Sequence, residues 1–144
     1  MVKIRKIEES DANAVTSLSA QLGYETTVPE TEERIKATRN NQDNCAFVAT
    51  IDGKVVGWIH GFFTIRLESP KFVEIAGLVV DANHRKMNIG KKLIDEVIAW
   101  AETYKVEKVK VRCNTLRTGS HKFYEKTGFI EVKEQKIFEM SIGL

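Results

Sequence analysis

Apolar residues recur along the chain at two spacings, and each change of spacing marks an element. Val2, Ile4 and Ile7 suggest a short strand near the start. The polar run Glu8-Glu9-Ser10-Asp11 follows, with Ser10 or Asp11 placed to cap a helix. Val15, Leu18 and Leu22 then recur at helical spacing, up to Gly23 where a helix would end. A second helix is predicted from Pro29 to Asn40. Its acidic start (Glu30, Glu32, Glu33) suits the helix dipole, and its thin apolar face (Ile35, Ala37) suits a surface position.

The middle of the chain reads as strands at Ala46–Ile51, Val55–Ile65 and Phe72–Val80, with Asp52-Gly53 as the turn between the first two. An amphipathic helix follows, with Leu93, Ile94, Val97, Ile98 and Ala101 on its apolar face. Val109, Val111 and Cys113 alternate with Lys108, Lys110 and Arg112, as in a half-buried strand. A short helix over Thr118–Lys126 stops at Gly128, and the chain closes in strand-like Phe129–Val132 and Ile137–Ile142. The order β-α-α-β-β-β-α-β-α-β-β means an α/β or α+β layered domain. The run from Phe72 to Asn114 reads as a βαβ unit with parallel strands.

Length and composition narrow the class. With 144 residues the chain has the size of one domain, 1–144, able to bury a real core. Lys and Arg exceed Asp and Glu by only two, which gives no reason to expect nucleic acid or an anionic membrane surface as a partner. The cysteines, Cys45 and Cys113, lack metal-type spacing and read as free thiols, and no metal site is expected. The N-terminal residues lack an apolar h-region and no apolar run approaches a bilayer span, so the expectation is a soluble cytoplasmic protein.

The turn inside the βαβ unit carries the chemistry: Asp81-Ala82-Asn83-His84-Arg85-Lys86-Met87-Asn88-Ile89-Gly90-Lys91-Lys92. It joins the end of a strand to a helix N-terminus, where free N–H groups and the helix dipole favour an anion. Gly90 leaves room for a ligand, Asn88 tolerates positive φ, and Arg85, Lys86, Lys91 and Lys92 supply charge for phosphates. Taken alone, the same run is equally the solvated start of a basic helix. The two familiar glycine-rich nucleotide motifs are absent.

This loop resembles the Arg-x-x-Gly-x-Gly element of the GNAT superfamily of N-acetyltransferases, which binds the CoA pyrophosphate. Arg85, Asn88 and Gly90 fall on its fixed positions, with Asn88 in place of the first glycine. Phe47-Val48-Ala49, Val55-Val56-Gly57-Trp58, Leu78-Val79-Val80 and Phe123-Tyr124-Glu125-Lys126-Thr127-Gly128-Phe129 extend the resemblance over almost the whole chain. It implies a mixed central sheet of about seven strands with four helices, splayed between the fourth and fifth strands. It also implies transfer of an acetyl group from acetyl-CoA to a primary amine in a ternary complex. A non-catalytic acyl-CoA-binding or regulatory module on the same fold is the alternative. Homodimers are common in the superfamily, so a homodimer is an expectation.

An alkylamine has a pKa of about 10.4, so freeing its lone pair at pH 7 costs roughly 4.6 kcal/mol, and the site needs a base. By resemblance, Glu74 is the base, acting through water; flanked by Phe72, Val73, Ile75 and Ala76 it would be partly desolvated, and the competing reading is an exposed strand glutamate. Tyr124 would protonate the departing thiolate, or simply pack as a core aromatic. Leu78, Val79 and Val80 would offer backbone to the pantetheine arm, the Leu78 N–H polarising the thioester carbonyl, with Gly77 placed for the bulge that opens the strands. The CoA loop comprises Arg85, Lys86, Met87, Asn88, Ile89, Gly90 and Lys91, with Asn114 near the CoA arm or merely ending a strand. His60 is either a structural histidine or a second base, and His84 and His121 are expected to be solvent-exposed. Glu25, Glu30, Glu32 and Glu33 beside Tyr24 form either a rim for a cationic acceptor or an ordinary acidic helix start.

Overall fold

The opening strand β1 (Val2–Lys6) pairs antiparallel with β2 (Asn44–Ile51), and the two helices between them, α1 (Ala12–Ala20) and α2 (Val28–Arg39), cover one face of the sheet. In this computed structural model, which describes residues 1–143, β3 (Lys54–Thr64) and β4 (Phe72–Val80) continue the antiparallel ladder and β5 (Val109–Val111) joins β4 in parallel. The sheet order is β1-β2-β3-β4-β5. Helix α3 (Ile89–Glu102) packs on the other face, and α4 (Thr118–Lys126) follows β5. The chain divides into two compact units, Met1–Arg112 and the remainder from Cys113.

Local chemistry explains the helix bounds. Thr27 caps α2: its hydroxyl accepts from the Glu30 N–H while the Glu30 carboxylate accepts from the Thr27 N–H, a reciprocal pair that fixes the first turn. Gly23, with φ of 85°, takes the left-handed turn after α1. The apolar face of α2 is Ile35 with Thr31; Ala37 is exposed. Ile7, Ala12, Val15, Ile35 and Val48 form the core on this side, joined by Val55 and Trp58.

On the opposite face Ile89, Leu93, Ile94, Val97 and Ala101 are buried against the sheet. Each such side chain contributes about 1.5–3 kcal/mol when removed from water. Ile98, expected on this face, stands outside it and is 38% exposed. The helix sits close because β3 presents Gly57: a Cβ there would lie 3.3 Å from both Ile89 and Leu93. That approach holds the N-terminal end of α3 at the end of β4, where the chemistry is expected.

Two expectations are corrected. Among the described residues the sheet has five strands rather than about seven, because Phe129–Val132 and Ile137–Ile142 join no ladder there. Alternation along a chain specifies which residues share a face but not which strand pairs beside them. The bulge in β4 falls on Ala76 rather than Gly77: His60 pairs with Gly77 and Gly61 with Ile75, so Ala76 is the extra residue and is exposed. Gly77 is needed for a different reason, since a Cβ there would lie 2.8 Å from Cη2 of Trp58.

Candidate active site

The β4–β5 ladder ends early. It runs Val73↔Val109, Glu74↔Lys110 and Ile75↔Val111, and then stops at the bulge. From Ala76 to Val80 that edge of β4 meets no strand among the described residues. Leu78 and Val80 are half-buried and Val79 is buried, as in a strand whose N–H and C=O groups stay open on one side. The expected splay between the fourth and fifth strands is therefore present, and the bulge marks its start.

At the end of β4 the backbone folds into a tight turn. Asp81 accepts from the Asn83 N–H, a short 3-10 turn covers Ala82–His84, and Lys86 and Asn88 both take positive φ, 70° and 59°. Asn88 is the N-terminal cap residue of α3, yet its side chain makes no capping bond. The N–H groups of Ile89, Gly90 and Lys91 in that first turn thus stay free of a side-chain acceptor. Asn88 occupies the left-handed conformation for which glycine is the usual choice, and asparagine is among the few side chains that enter it routinely. Residues of alternating hand around a helix start make a concave ring of N–H donors, and Arg85, Lys86, Met87, Lys91 and Lys92 are exposed around it. Lys91 also pairs with Asp95 one turn on, at 3.0 Å.

A contact that sequence reasoning missed holds this turn. The Gln21 amide donates to Asp81 Oδ1 at 3.0 Å, and its oxygen accepts from the Ala82 N–H at 3.0 Å. His84 Nδ1 donates to the other Asp81 oxygen at 2.7 Å. These side-chain bonds, Gln21 first, hold the Asp81 carboxyl below its ordinary range. Gln21 lies sixty residues upstream at the end of α1, and nothing in its local sequence signals the contact.

Glu74 is half-buried on β4, on the strand face away from α3 and beside Phe62. It is not an isolated carboxylate: Arg112 Nε donates to Oε1 at 3.2 Å. Arg112 was not singled out in the sequence, although the register Glu74↔Lys110 places a cation two residues further along the same side of the neighbouring strand. His60 resolves toward the structural reading. Its Nε2 donates to Asn44 Oδ1 at 2.7 Å, and burial lowers its pKa, keeping it neutral. Cys45 is equally inert, since burial pushes its thiol up to about 12. Both cysteines are free.

In the second unit, Tyr124 is half-buried on α4 between Phe123, at 5.2 Å, and Phe129, at 5.6 Å, both edge-on. Asn114 shapes a turn: its Oδ1 accepts from the Leu116 N–H at 2.9 Å, and His121 Nε2 donates to its carbonyl at 2.8 Å. His121 and His84 are half-buried rather than fully exposed, because each is drawn into these local bonds. Among the described residues no group of His, Cys, Asp and Glu has the arrangement of a metal site, and no helix is long and apolar enough to cross a membrane.

An open depression of about 580 Å³ lies after α1, lined by residues that include Gly23, Tyr24, Glu25, Thr26, Thr27 and Glu30. Glu30 is largely committed to Thr27, with Arg34 at 4.0 Å, while Glu32 and Glu33 face solvent outside the depression.

Comparison with known proteins agrees with this arrangement. The model of the Acetyltransferase (GNAT) family matches residues 12–129. A transcriptional regulator from Bacillus halodurans C-125 superposes with a TM-score of 0.87 at 21% identity, over 97% of this chain and 100% of that one. The aminoglycoside 6'-N-acetyltransferase AAC(6')-Ih from Acinetobacter baumannii gives 0.87 at 17% identity, over 99% and 100%. Glucosamine-6-phosphate N-acetyltransferase from Arabidopsis thaliana gives 0.83 at 24% identity, over 98% and 99%. At these identities the superpositions speak for the fold alone.

Proposed function

The chain belongs to the acetyltransferase (GNAT) family, whose members are acetyl-CoA-dependent N-acetyltransferases, and from that premise we propose that it moves the acetyl group of acetyl-CoA directly to a primary amine. The observation that carries the reading is the opened edge of β4 leading into an uncapped helix start. The pyrophosphate takes the N–H groups of Ile89, Gly90 and Lys91 with Arg85 and Lys86 beside them. The pantetheine arm lies along Leu78, Val79 and Val80, and the Leu78 N–H polarises the thioester carbonyl.

Glu74 takes the amine proton through water. Arg112 orients it and neutralises its charge until the proton arrives. Tyr124, assigned by its place in the helix-to-strand motif, returns a proton to the thiolate. The acceptor is a cationic amine, drawn to Glu25 and Tyr24 in the open depression. Small-molecule amines of the aminoglycoside or polyamine kind and protein amines all fit that description.

The test is CoA release with a panel of amines. Glu74→Gln is expected to lower kcat by about a hundredfold or more with acetyl-CoA affinity unchanged, and Tyr124→Phe to lower it less. Full turnover in both variants removes the two assignments. A second reading rests on the engagement of Glu74 by Arg112: a carboxylate already paired suits a non-catalytic acyl-CoA-binding module. That reading predicts binding of acetyl-CoA with no turnover on any amine in the panel.

A further inference from the structure

Where β1 ends, β2 begins and α2 gives out, there is a second cavity of about 320 Å³, with Trp100 of α3 in its wall. Ligand pockets run from roughly 300 to 1,000 Å³, so it has room for a small molecule. No residue from Glu74 to Lys92 lines it, which separates it from the segment read as the acetyl-CoA site. Its lining is cationic. Lys6 of β1 and Arg39 in the last turn of α2 contribute to it, and among the described residues no carboxylate does. Neither cation enters an ion pair there. Asp11, whose charge acts with that of Arg39, is already held by Arg5 and the Glu8 N–H.

The loop 41–44 beside it engages most of its oxygens internally. The Asn41 carbonyl accepts from the Asn44 N–H at 3.1 Å, and Asn41 Oδ1 from the Asp43 N–H at 2.9 Å. The Gln42 carbonyl accepts from the Tyr104 hydroxyl, the Asp43 carbonyl from the Phe63 N–H at 2.8 Å, and Asn44 Oδ1 from His60 Nε2. At the β1 wall the Lys6 carbonyl accepts from Arg5, and the Ala46 carbonyl from the Ile7 N–H. What is left around the cavity is a set of donors: the Lys6 ammonium, the Arg39 guanidinium and the side-chain amide N–H groups of Asn41 and Asn44. Such a set recognises an anion. The C-terminal end of α2 would repel one through its dipole, and Lys36 and Arg39 in the last turn offset that. Trp100, half-buried and tilted on Tyr104 at 4.8 Å, adds an aromatic wall. We propose that this cavity binds a small planar anion, a ring bearing one phosphate or carboxylate group. The anionic group meets Lys6 and Arg39, and the ring lies against Trp100. The site does not rest on the catalytic reading of Glu74 and Tyr124, and its test reads binding rather than activity.

Phenyl phosphate and benzoate are titrated into the nitrogen-15-labelled full chain. The indole N–H signal of Trp100 and the amide signals of Asn41, Gln42 and Asn44 are expected to shift and saturate with at least one of the two, and the tighter probe names the anionic group. Benzylamine, the same ring with the opposite charge, is expected to leave those signals in place. Inorganic phosphate, a charge without a ring, is expected to bind at least about tenfold more weakly than phenyl phosphate. Lys6 and Arg39 are exposed, so Lys6→Ala and Arg39→Ala keep the fold, which circular dichroism checks. Each is expected to weaken the tighter probe by about tenfold or more. Signals that stay still with both anions up to the limit of solubility overturn the proposal. So does benzylamine or inorganic phosphate binding as tightly as the ring-bearing anions, or affinity unchanged in the two variants. Shifts confined to residues 85–91 overturn it as well, since they place the anion on the turn before α3.

Discussion

Asp11 opens a helix but does not cap it in the usual way. Its carboxylate is turned back, accepting from the Arg5 guanidinium at 2.8 Å through both oxygens and from the Glu8 N–H at 2.8 Å. Burial alone would raise its pKa; the Arg5 and Glu8 bonds outweigh burial and leave it below the ordinary value. A carboxyl lowered in the folded state stabilises the fold fully above its unfolded pKa, about 3.9. That stability fades as pH falls through the folded value. Asp11→Asn is therefore expected to lower stability at pH 7 by about 1.5–3 kcal/mol, the worth of hydrogen bonds to a charged group. It should also flatten the loss of stability on acidification below about pH 4. Thermal melts at pH 7 and pH 3 check both. A variant as acid-sensitive as the parent would place the titrating group elsewhere. The sequence marked Asp11 as a helix-start residue, which it is. Its partner was not legible, because the pairing depends on β1 lying beside the helix, and Arg5 carries no mark that distinguishes it from its basic neighbours Lys3 and Lys6.

At the scale of elements, β4 and α4 have the bounds read from the sequence, Phe72–Val80 and Thr118–Lys126. Each is closed by local chemistry: Asp81 ends the first, and Thr127-Gly128, with φ of 108° at the glycine, ends the second. The bulge was misplaced by one residue because glycine is only a permissive signal. Gly77 is demanded by the Trp58 ring above it, while Ala76 carries the irregularity. This contact is testable. Gly77→Ala is expected to cost about 1–3 kcal/mol, since the new Cβ meets Cη2 at 2.8 Å and Cζ3 at 3.0 Å. Trp58→Phe removes that part of the ring. The double variant should recover part of the loss, with a coupling of about 1 kcal/mol in a double-mutant cycle. Additive losses would show that the ring is not what excludes a side chain at position 77.

For the molecule as a whole, the proposed donor half and the contacts that hold it differ in how local their determinants are. The proposed donor half lies largely in one contiguous segment, strand, turn and helix start, so those elements were legible from a single stretch of sequence. What holds that segment is not local: Gln21 ties the end of α1 to Asp81 and Ala82 sixty residues on. Spacing along the chain cannot reveal such a tie. The donor half should accordingly bind its ligand without an acceptor present. Acetyl-CoA at a hundred times its Kd is expected to stabilise the fold by about 2.7 kcal/mol, a rise of roughly 8 °C in Tm for a chain of this size. Arg85→Ala should shrink that rise at fixed ligand concentration. Asn88→Gly should preserve it, because Asn88 already holds the backbone hand that glycine would take, at φ of 59°. Amines alone should leave Tm unchanged at the same concentrations. If Asn88→Gly instead enlarges the rise severalfold, the asparagine side chain obstructs the pyrophosphate. A melting temperature indifferent to acetyl-CoA would remove the donor site from the segment between Leu78 and Lys91.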